Sequence, residues 1–197
     1  MIKNKLFFIL LFIFIIQGLI MADEYFVKLY KIDNNKLLYW EAWNNKNNYT
    51  IHWGIVGTKG ETKEIIKTFF NSPKNNVIEE EKDFRNKGYA EITDLKTIII
   101  QYKIDEFGTN DDLNKRYEIE EFMNNELGWY GLGYCDGGDI GSGTMNIFCL
   151  VVDIEIAVKT IKELLINNKM IEGAFIIEES DELIVHYPEN YKGKISY

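Results

Sequence analysis

Four short runs rich in aromatic and β-branched residues follow one another between residues 25 and 70, and they constrain the fold more than any other feature. Turn-forming segments separate them, first Asp33-Asn34-Asn35 and then the stretch 44–48. Residues of these types favour extended strands, whereas asparagine-rich interruptions favour tight turns. The sequence therefore predicts a sheet with strands at 25–32, 36–43, 50–57 and 63–70.

A helix is predicted directly after the fourth strand. Ser72 is suited to the N-cap position, and Pro73 is suited to the first helical position. Gly88 is typical of the residue just past a helix end, so we expect the helix to end at about Lys87.

The third strand continues into Trp53-Gly54-Ile55-Val56-Gly57-Thr58-Lys59-Gly60. This segment resembles the signature of WGR domains, in which Trp-Gly-Arg is followed by an aliphatic residue and Gly-Thr-x-Gly. The later Lys87-Gly88-Tyr89 matches the Lys-Gly-Tyr that closes the helix of the family. The resemblance extends from about Glu24 to Ile92, and it implies an antiparallel sheet with a helix on one side. The departure is Ile55, which stands where the family has arginine.

WGR domains occur in poly(ADP-ribose) polymerases, where they help engage DNA ends, and in many bacterial proteins. The resemblance implies a recognition surface around Trp53, but Ile55 lacks the charge and planar fork that arginine offers to phosphate. The alternative interpretation is that Trp53 is a sheet-face aromatic and that the glycines form turns. The candidate binding residues are Trp53, Gly54, Gly57, Lys59, Gly60, Lys63, Lys87, Gly88 and Tyr89.

The sequence of the second half predicts secondary-structure elements in the order strand, helix, strand, strand, helix, strand. A strand at 97–104 precedes a helix with Asn110 as N-cap and Gly128 as its stop. Strand-like runs at 129–135 and 145–153 follow, and Asp153 caps a second helix with one apolar face. Runs at 174–178 and 183–187 supply the closing strands. This order predicts an α+β chain in which residues 23–93 are WGR-like and residues 94–197 form a ferredoxin-like βαββαβ sandwich.

A glycine-rich stretch, GLGYCDGGDIGSGT, spans residues 131–144. Its glycine spacing suggests a phosphate-binding loop, but the lysine is missing and a strand rather than a helix follows. Two carboxylates are too few for a calcium loop. The pattern favours a long hairpin or bulged loop instead. The candidate residues of this loop are Asp136, Gly137, Gly138, Asp139, Gly141 and Gly143.

Cys135 and Cys149 lie symmetrically about Ser142, as cross-strand partners in a hairpin would. In an oxidising compartment they could form a disulfide if their Cα atoms lie within about 7 Å. In the cytosol they would remain thiols. Their spacing is not that of a metal finger.

The amino terminus has two interpretations. Lys3 and Lys5 precede an apolar run that ends near Ala22, which fits a signal peptide over residues 1–22 and an exported protein. Alternatively, translation starts at Met21 and the protein is cytoplasmic. The run is too short for a stable membrane span.

Charge and composition narrow the function. The net charge is −9, which disfavours non-specific nucleic-acid binding and makes a protein the favoured partner. Neither His52 nor His186 has a motif-level catalytic partner, and no cofactor is implied. The sequence therefore indicates a non-enzymatic binding or regulatory protein acting through the WGR-like part, with the partner a protein or a nucleic acid. The alternative is an immunity or inhibitor protein acting through its second half. Oligomeric state is left open.

Overall fold

The computed structural model describes residues 25–46, 48–68 and 73–195. The predicted signal peptide, the alternative start at Met21 and the N-cap at Ser72 lie outside the described residues. The two sheets and three helices of the described part make an α+β fold, as the sequence predicts.

The first sheet is an antiparallel meander of four strands in chain order. Its strands are β1 (Phe26–Asp33), β2 (Lys36–Asn45), β3 (Asn48–Ile55) and β4 (Glu61–Ile65). The β1–β2 turn consists of Asn34 and Asn35, which have φ values of 48° and 60° and match the left-handed pair of a two-residue hairpin. The fourth strand ends earlier than predicted, because β4 stops at Ile65, whose partner in β3 is Tyr49. Residues 69 and 70 of the predicted strand lie outside the described residues.

Helix α1 (Pro73–Asn86) covers one face of this sheet. Its Val77 is fully buried, and Phe84 stacks on Trp40 with ring centroids 5.1 Å apart. Strand alternation supplies the rest of this small core: Val27, Leu29, Trp40, Ala42, Tyr49 and Ile51 all point to the α1 side.

The second sheet has five strands, all antiparallel, in the order β6-β7-β5-β8-β9. Along the chain, its elements are β5 (Lys96–Lys103), α2 (Asn110–Trp129), β6 (Gly133–Gly141), β7 (Thr144–Val151), α3 (Ile154–Asn167), β8 (Ala174–Glu179) and β9 (Leu183–Tyr187).

The helix ends in this half differ from prediction at two places. Thr109, not Asn110, is the N-cap of α2, because Thr109 and Asp112 form a reciprocal capping box. The assignment of Trp129 to a strand is wrong, since α2 continues through Gly128 and ends at Trp129. The chain turns at Gly131 instead, which has φ of +65°. The predicted cap at Asp153 is confirmed, because its side chain accepts the N–H of Ile156.

The largest core lies between the second sheet and helices α2 and α3, and it extends into the first half. Tyr30, Tyr39 and Val56 of the first half belong to the same buried cluster as Ile98, Leu127 and other residues of the second half. Burying apolar side chains in one continuous cluster stabilises both halves together. Among the helices that the structure describes, none combines the length and apolar character required to cross a lipid bilayer.

Candidate functional site

The segment that resembles the WGR signature lies at the junction between the two halves. The N–H of Gly57 donates to the carbonyl of Tyr130 over 2.8 Å. Gly131 lies against the Tyr39 ring, where an added Cβ would come within 2.3 Å of Cδ1. A Cβ on Gly57 would come within 2.6 Å of the Ile156 side chain. The glycines of this segment therefore permit close packing against the second half.

The other residues of the signature also have structural environments. Trp53 is partly buried against the α1-side core, and Ile55 is 38% exposed. A Cβ on Gly54 would come within 2.7 Å of the Gly60 Cα, so these two glycines allow the turn after β3 to fold back on it. Gly60 itself has φ of +59°.

The predicted cationic residues are partly neutralised. Lys59 and Lys63 form exposed ion pairs with Glu126 at 3.1 Å and Glu80 at 3.3 Å. Lys87 lies over the Phe84 ring, Gly88 turns the chain with φ of +90°, and Tyr89 meets Phe84 edge-on. Tyr89 belongs to the α1-side core, so these three residues close the helix against the sheet.

A buried polar network crosses the opposite face of the first sheet. His52 is fully buried, and its Nδ1 lies 2.7 Å from Oε1 of Glu41. Its Nε2 lies 2.7 Å from the carbonyl of Lys59 and 2.8 Å from the hydroxyl of Tyr39. Lys28 approaches the other oxygen of Glu41, with Nζ and Oε2 separated by 3.0 Å.

This network assigns the protons of His52. A carbonyl can only accept, so Nε2 donates to Lys59, and a carboxylate held by Lys28 accepts from Nδ1. Both ring nitrogens are then donors, and Lys28 contacts the second oxygen of Glu41. Burial raises the pKa of the Tyr39 hydroxyl, and the nearby Glu41 carboxylate raises it further, so Tyr39 stays neutral. The His52 nitrogens are both engaged and withdrawn from solvent, which suits a positioning network rather than acid–base chemistry.

A cleft lies above this network, between the first sheet and helix α2. It consists of two adjoining cavities of about 620 Å³ and 370 Å³. Phe26, Glu41, Asn124 and Gly128 line both cavities. Cavities of this size are typical of ligand- and peptide-binding sites.

Large aromatic side chains form the walls of the cleft. Phe26 is 66% exposed, Tyr134 is 46% exposed and Trp129 is 37% exposed. Trp43 meets Trp129 edge-on, with ring centroids 6.2 Å apart. Clusters of exposed aromatic residues on a soluble protein mark binding surfaces.

The glycine-rich stretch forms the β6–β7 hairpin, with a bulge between Cys135 and Gly138. Asp139 accepts from Nδ2 of Asn146 over 2.6 Å, whereas Asp136 is exposed. Gly138 lies where a Cβ would meet the Asn146 carbonyl at 2.2 Å. The remaining glycines, Gly137, Gly141 and Gly143, have φ values of 94°, 147° and 86°. No cluster of three metal-binding side chains occurs among the described residues.

Cys135 and Cys149 are directly opposite in β6 and β7, and their Sγ atoms are 3.0 Å apart as thiols. The hydrogen bond with Cys135, together with burial, raises the pKa of the Cys149 thiol well above its usual range. The N–H of Cys135 donates to the Asn124 side chain over 3.0 Å, so this pair lies next to the cleft.

Sequence reasoning missed the residues that build the cleft. Glu41 could have indicated a buried polar site, because its carboxylate interrupts the apolar run of β2 at a position whose neighbours are buried. Asn124 and Tyr134 carry no such signal, since their roles depend on how the two halves pack. Comparison of the chain with protein-family models, with curated proteins and with solved structures finds no match.

Proposed function

We propose that this chain is a non-enzymatic binding protein whose recognition surface is the cleft between the first sheet and helix α2. Its partner is a protein. The observation that carries the proposal is the convergence of Phe26, Trp129 and Tyr134 on this cleft, each of them exposed. Aromatic side chains in a pocket are the residues from which protein interfaces gain most of their affinity.

Two fold assignments form part of the proposal. The first half is a WGR-like module, supported by its four-stranded meander with one helix on a single face. The second half is ferredoxin-like, supported by the antiparallel order β6-β7-β5-β8 and by β9 as an additional edge strand. Both assignments place the cleft at the junction of two modules, where binding sites commonly form.

A protein partner is favoured over nucleic acid on charge. The chain carries 31 acidic and 22 basic residues. Lys28, Lys59 and Lys63 each form an ion pair with a carboxylate of the chain. Phosphate binding gains its free energy from cations that displace counterions, and these lysines are already engaged. Ile55 supplies no charge at the position of the motif arginine.

A photo-crosslinking experiment tests the proposal. Tyr134 is replaced by a photoreactive phenylalanine analogue, and the full chain is illuminated in its native cells. Tyr117, which is 55% exposed and does not line the cleft, receives the same replacement as the matched control. We expect a discrete protein adduct from position 134 that is absent from position 117. Adducts with nucleic acid, or the same adducts from both positions, would contradict the proposal.

A second candidate function is that of an immunity or inhibitor protein acting through the second half. It is favoured by exposed carboxylates on α2 and β6, namely Asp111, Glu118, Glu121 and Asp136. Acidic surfaces accelerate association with basic targets. Under this alternative, the adduct from position 134 is a basic protein whose activity falls when the chain binds, and α2 charge-neutralising variants slow the association.

A further inference from the structure

Among the described residues, no strand pairs with the edge of β1 where it borders the cleft. The N–H of Asn44 donates to the carbonyl of Tyr25, so Tyr25 is hydrogen-bonded to β2. Because hydrogen-bonded positions alternate along an antiparallel strand, the peptide groups of Val27 and Leu29 also point toward β2. The peptide groups of Phe26, Lys28 and Tyr30 alternate with these and point away from β2. These outward groups form the edge of the first sheet.

One of the outward positions is occupied by the chain itself. Tyr30 donates to the carbonyl of Ala90 over 2.8 Å and accepts from the N–H of Ala90 over 2.9 Å. Beyond Ala90 the chain leaves β1, and Glu91, Ile92 and Thr93 line the far side of the 620 Å³ cavity instead. In the described part of the chain, no hydrogen bond occupies the outward groups of Phe26 and Lys28.

The gap beside β1 therefore lies where an additional strand would pair with the sheet. Phe26 and Lys28 each present one N–H and one C=O to it, and Tyr134 of β6 lies across it. A strand edge with unsatisfied peptide groups is a template for pairing with another extended chain. Side chains of such a chain would alternate, and those on one face would enter the aromatic walls of the cleft.

The charged residues near the cleft indicate which charge the residues flanking a bound segment would carry. Glu121 lies one helical turn before Asn124, and Asp136 lies two residues after Tyr134, within the bulge of β6. Both are exposed, and neither forms an ion pair within the described residues. The cationic lining residue, Lys28, is already engaged by Glu41. The cleft therefore complements a segment with basic flanks.

We propose that the cleft binds an extended apolar segment of a partner protein, flanked by lysine or arginine, which adds to β1 as a fifth strand of the first sheet. This inference rests on the proposed function, because it specifies how the partner uses the cleft. Main-chain hydrogen bonds to Phe26 and Lys28 provide the pairing, and the aromatic walls select apolar side chains.

The test uses a blocked heptapeptide probe, acetyl-Lys-Val-Thr-Val-Thr-Val-Lys-amide, and the full chain labelled with ¹⁵N. Binding is followed by hydrogen exchange of the Phe26 and Lys28 amides and by fluorescence of Trp43 and Trp129. We expect slowed exchange at these two amides and unchanged exchange at Ile32, which lies on the same strand edge outside the cleft. Absence of protection at millimolar peptide would overturn the proposal.

Methylated probes separate strand pairing from simple apolar contact. One peptide carries N-methyl groups on alternate amides of one edge, and its isomer carries them on the other edge. Strand addition predicts that only one isomer loses affinity, by about tenfold or more, because it loses donors and gains bulk against β1. Equal affinities of the two isomers would overturn the proposal.

Variants of the chain provide the reciprocal test. Phe26→Pro removes an outward N–H without removing a bond to β2, and Phe26→Ala removes the same side chain but keeps the N–H. We expect the proline variant to bind about tenfold more weakly than the alanine variant, whereas Ile32→Pro binds as the parent does. Equal binding by the two Phe26 variants would overturn the proposal. If the crosslinked adduct forms at position 134 but the two peptide isomers bind equally, strand addition is refuted and the proposed function stands. If no adduct forms at position 134, the proposed function itself is refuted.

Discussion

The aromatic ring of Tyr39, on β2, lies close against Gly131, which follows α2. An added Cβ at Gly131 would lie 2.3 Å from Cδ1 and 2.6 Å from Cγ of that ring. Gly131 also has φ of +65°, a conformation that side chains rarely adopt. One contact thus joins the first sheet to the second half and leaves no room for a methyl group.

We expect Gly131→Ala to lower the free energy of unfolding by about 2–4 kcal/mol, from the positive φ and from overpacking against Tyr39. Gly173→Ala is the matched control, because Gly173 has φ of +75° but no heavy atom within 4 Å of an added Cβ. Urea denaturation of the two variants measures the difference. If both variants lose the same stability, the ring contact contributes nothing and the backbone alone explains the cost.

The buried Glu41 carboxylate is expected to be indispensable for stability. Glu41→Gln preserves the shape but leaves His52 and Lys28 without their anion, and removal of one partner from a buried ion pair costs about 3–5 kcal/mol. Glu80→Gln provides the control, since Glu80 pairs with the exposed Lys63 at 3.3 Å, and such pairs contribute about 0–1 kcal/mol. Thermal denaturation monitored by circular dichroism distinguishes the two. A Glu41→Gln variant as stable as the parent would contradict the role of Glu41 as the shared partner of His52 and Lys28.

The α2 capping box predicts a pH-dependent contribution from Asp112. Hydrogen bonds from the side chain and the backbone N–H of Thr109 lower the pKa of Asp112 in the folded state. A lowered folded pKa contributes stability above the unfolded pKa of aspartate, and that stability is lost as pH falls through the folded value. Asp112→Asn should therefore be less stable than the parent at neutral pH, and the two should converge in acid. Denaturation at a series of pH values, with exposed Asp111→Asn as the control, checks this; a difference that persists in strong acid would refute it.

The two thiols are expected to join under mild oxidation. Cys135 and Cys149 face each other in β6 and β7 with Sγ atoms 3.0 Å apart, so closure needs little backbone movement. Treatment with diamide should yield a monomer without titratable thiols, detected by mass and by thiol assay. Without oxidant, alkylation of the folded protein should modify Cys135 first, because Cys149 is buried and its pKa is raised. Disulfide-linked dimers as the main product would contradict the cross-strand geometry.

Local sequence signals predicted most of the secondary structure. The Asn34-Asn35 turn, the cap at Asp153 and the apolar face of α3 are encoded within a few residues of where they act. Trp129 is a residue whose secondary structure local signals did not predict. Its aromatic side chain suggests a strand, yet the left-handed turn at Gly131 lets α2 include it, and packing of that turn against Tyr39 involves a residue far away in the chain.

The cleft could not be predicted for a related reason. Its polar floor is formed by Lys28, Glu41 and His52 on three strands, and its far wall by Asn124 and Tyr134 of the second half. No local pattern relates these positions. Strand register within the first sheet brings Lys28, Glu41 and His52 together, and packing of the two halves brings Asn124 and Tyr134 opposite them. The signature that resembles WGR domains pointed to Trp53, which instead packs on the α1 side of the sheet.

The Tyr30–Ala90 bridge has a consequence for the integrity of the chain. The segment that connects the halves is fixed to β1 at that bridge, and the halves meet again where Gly57 donates to Tyr130. A protease cut at the exposed Thr93-Asp94 bond would leave the Tyr30–Ala90 bridge within the first fragment, where it holds the new chain end against β1. The two fragments should remain associated, as the parts of a split protein do, because the Gly57–Tyr130 hydrogen bond and the apolar cluster that the two halves share do not depend on the cut peptide bond.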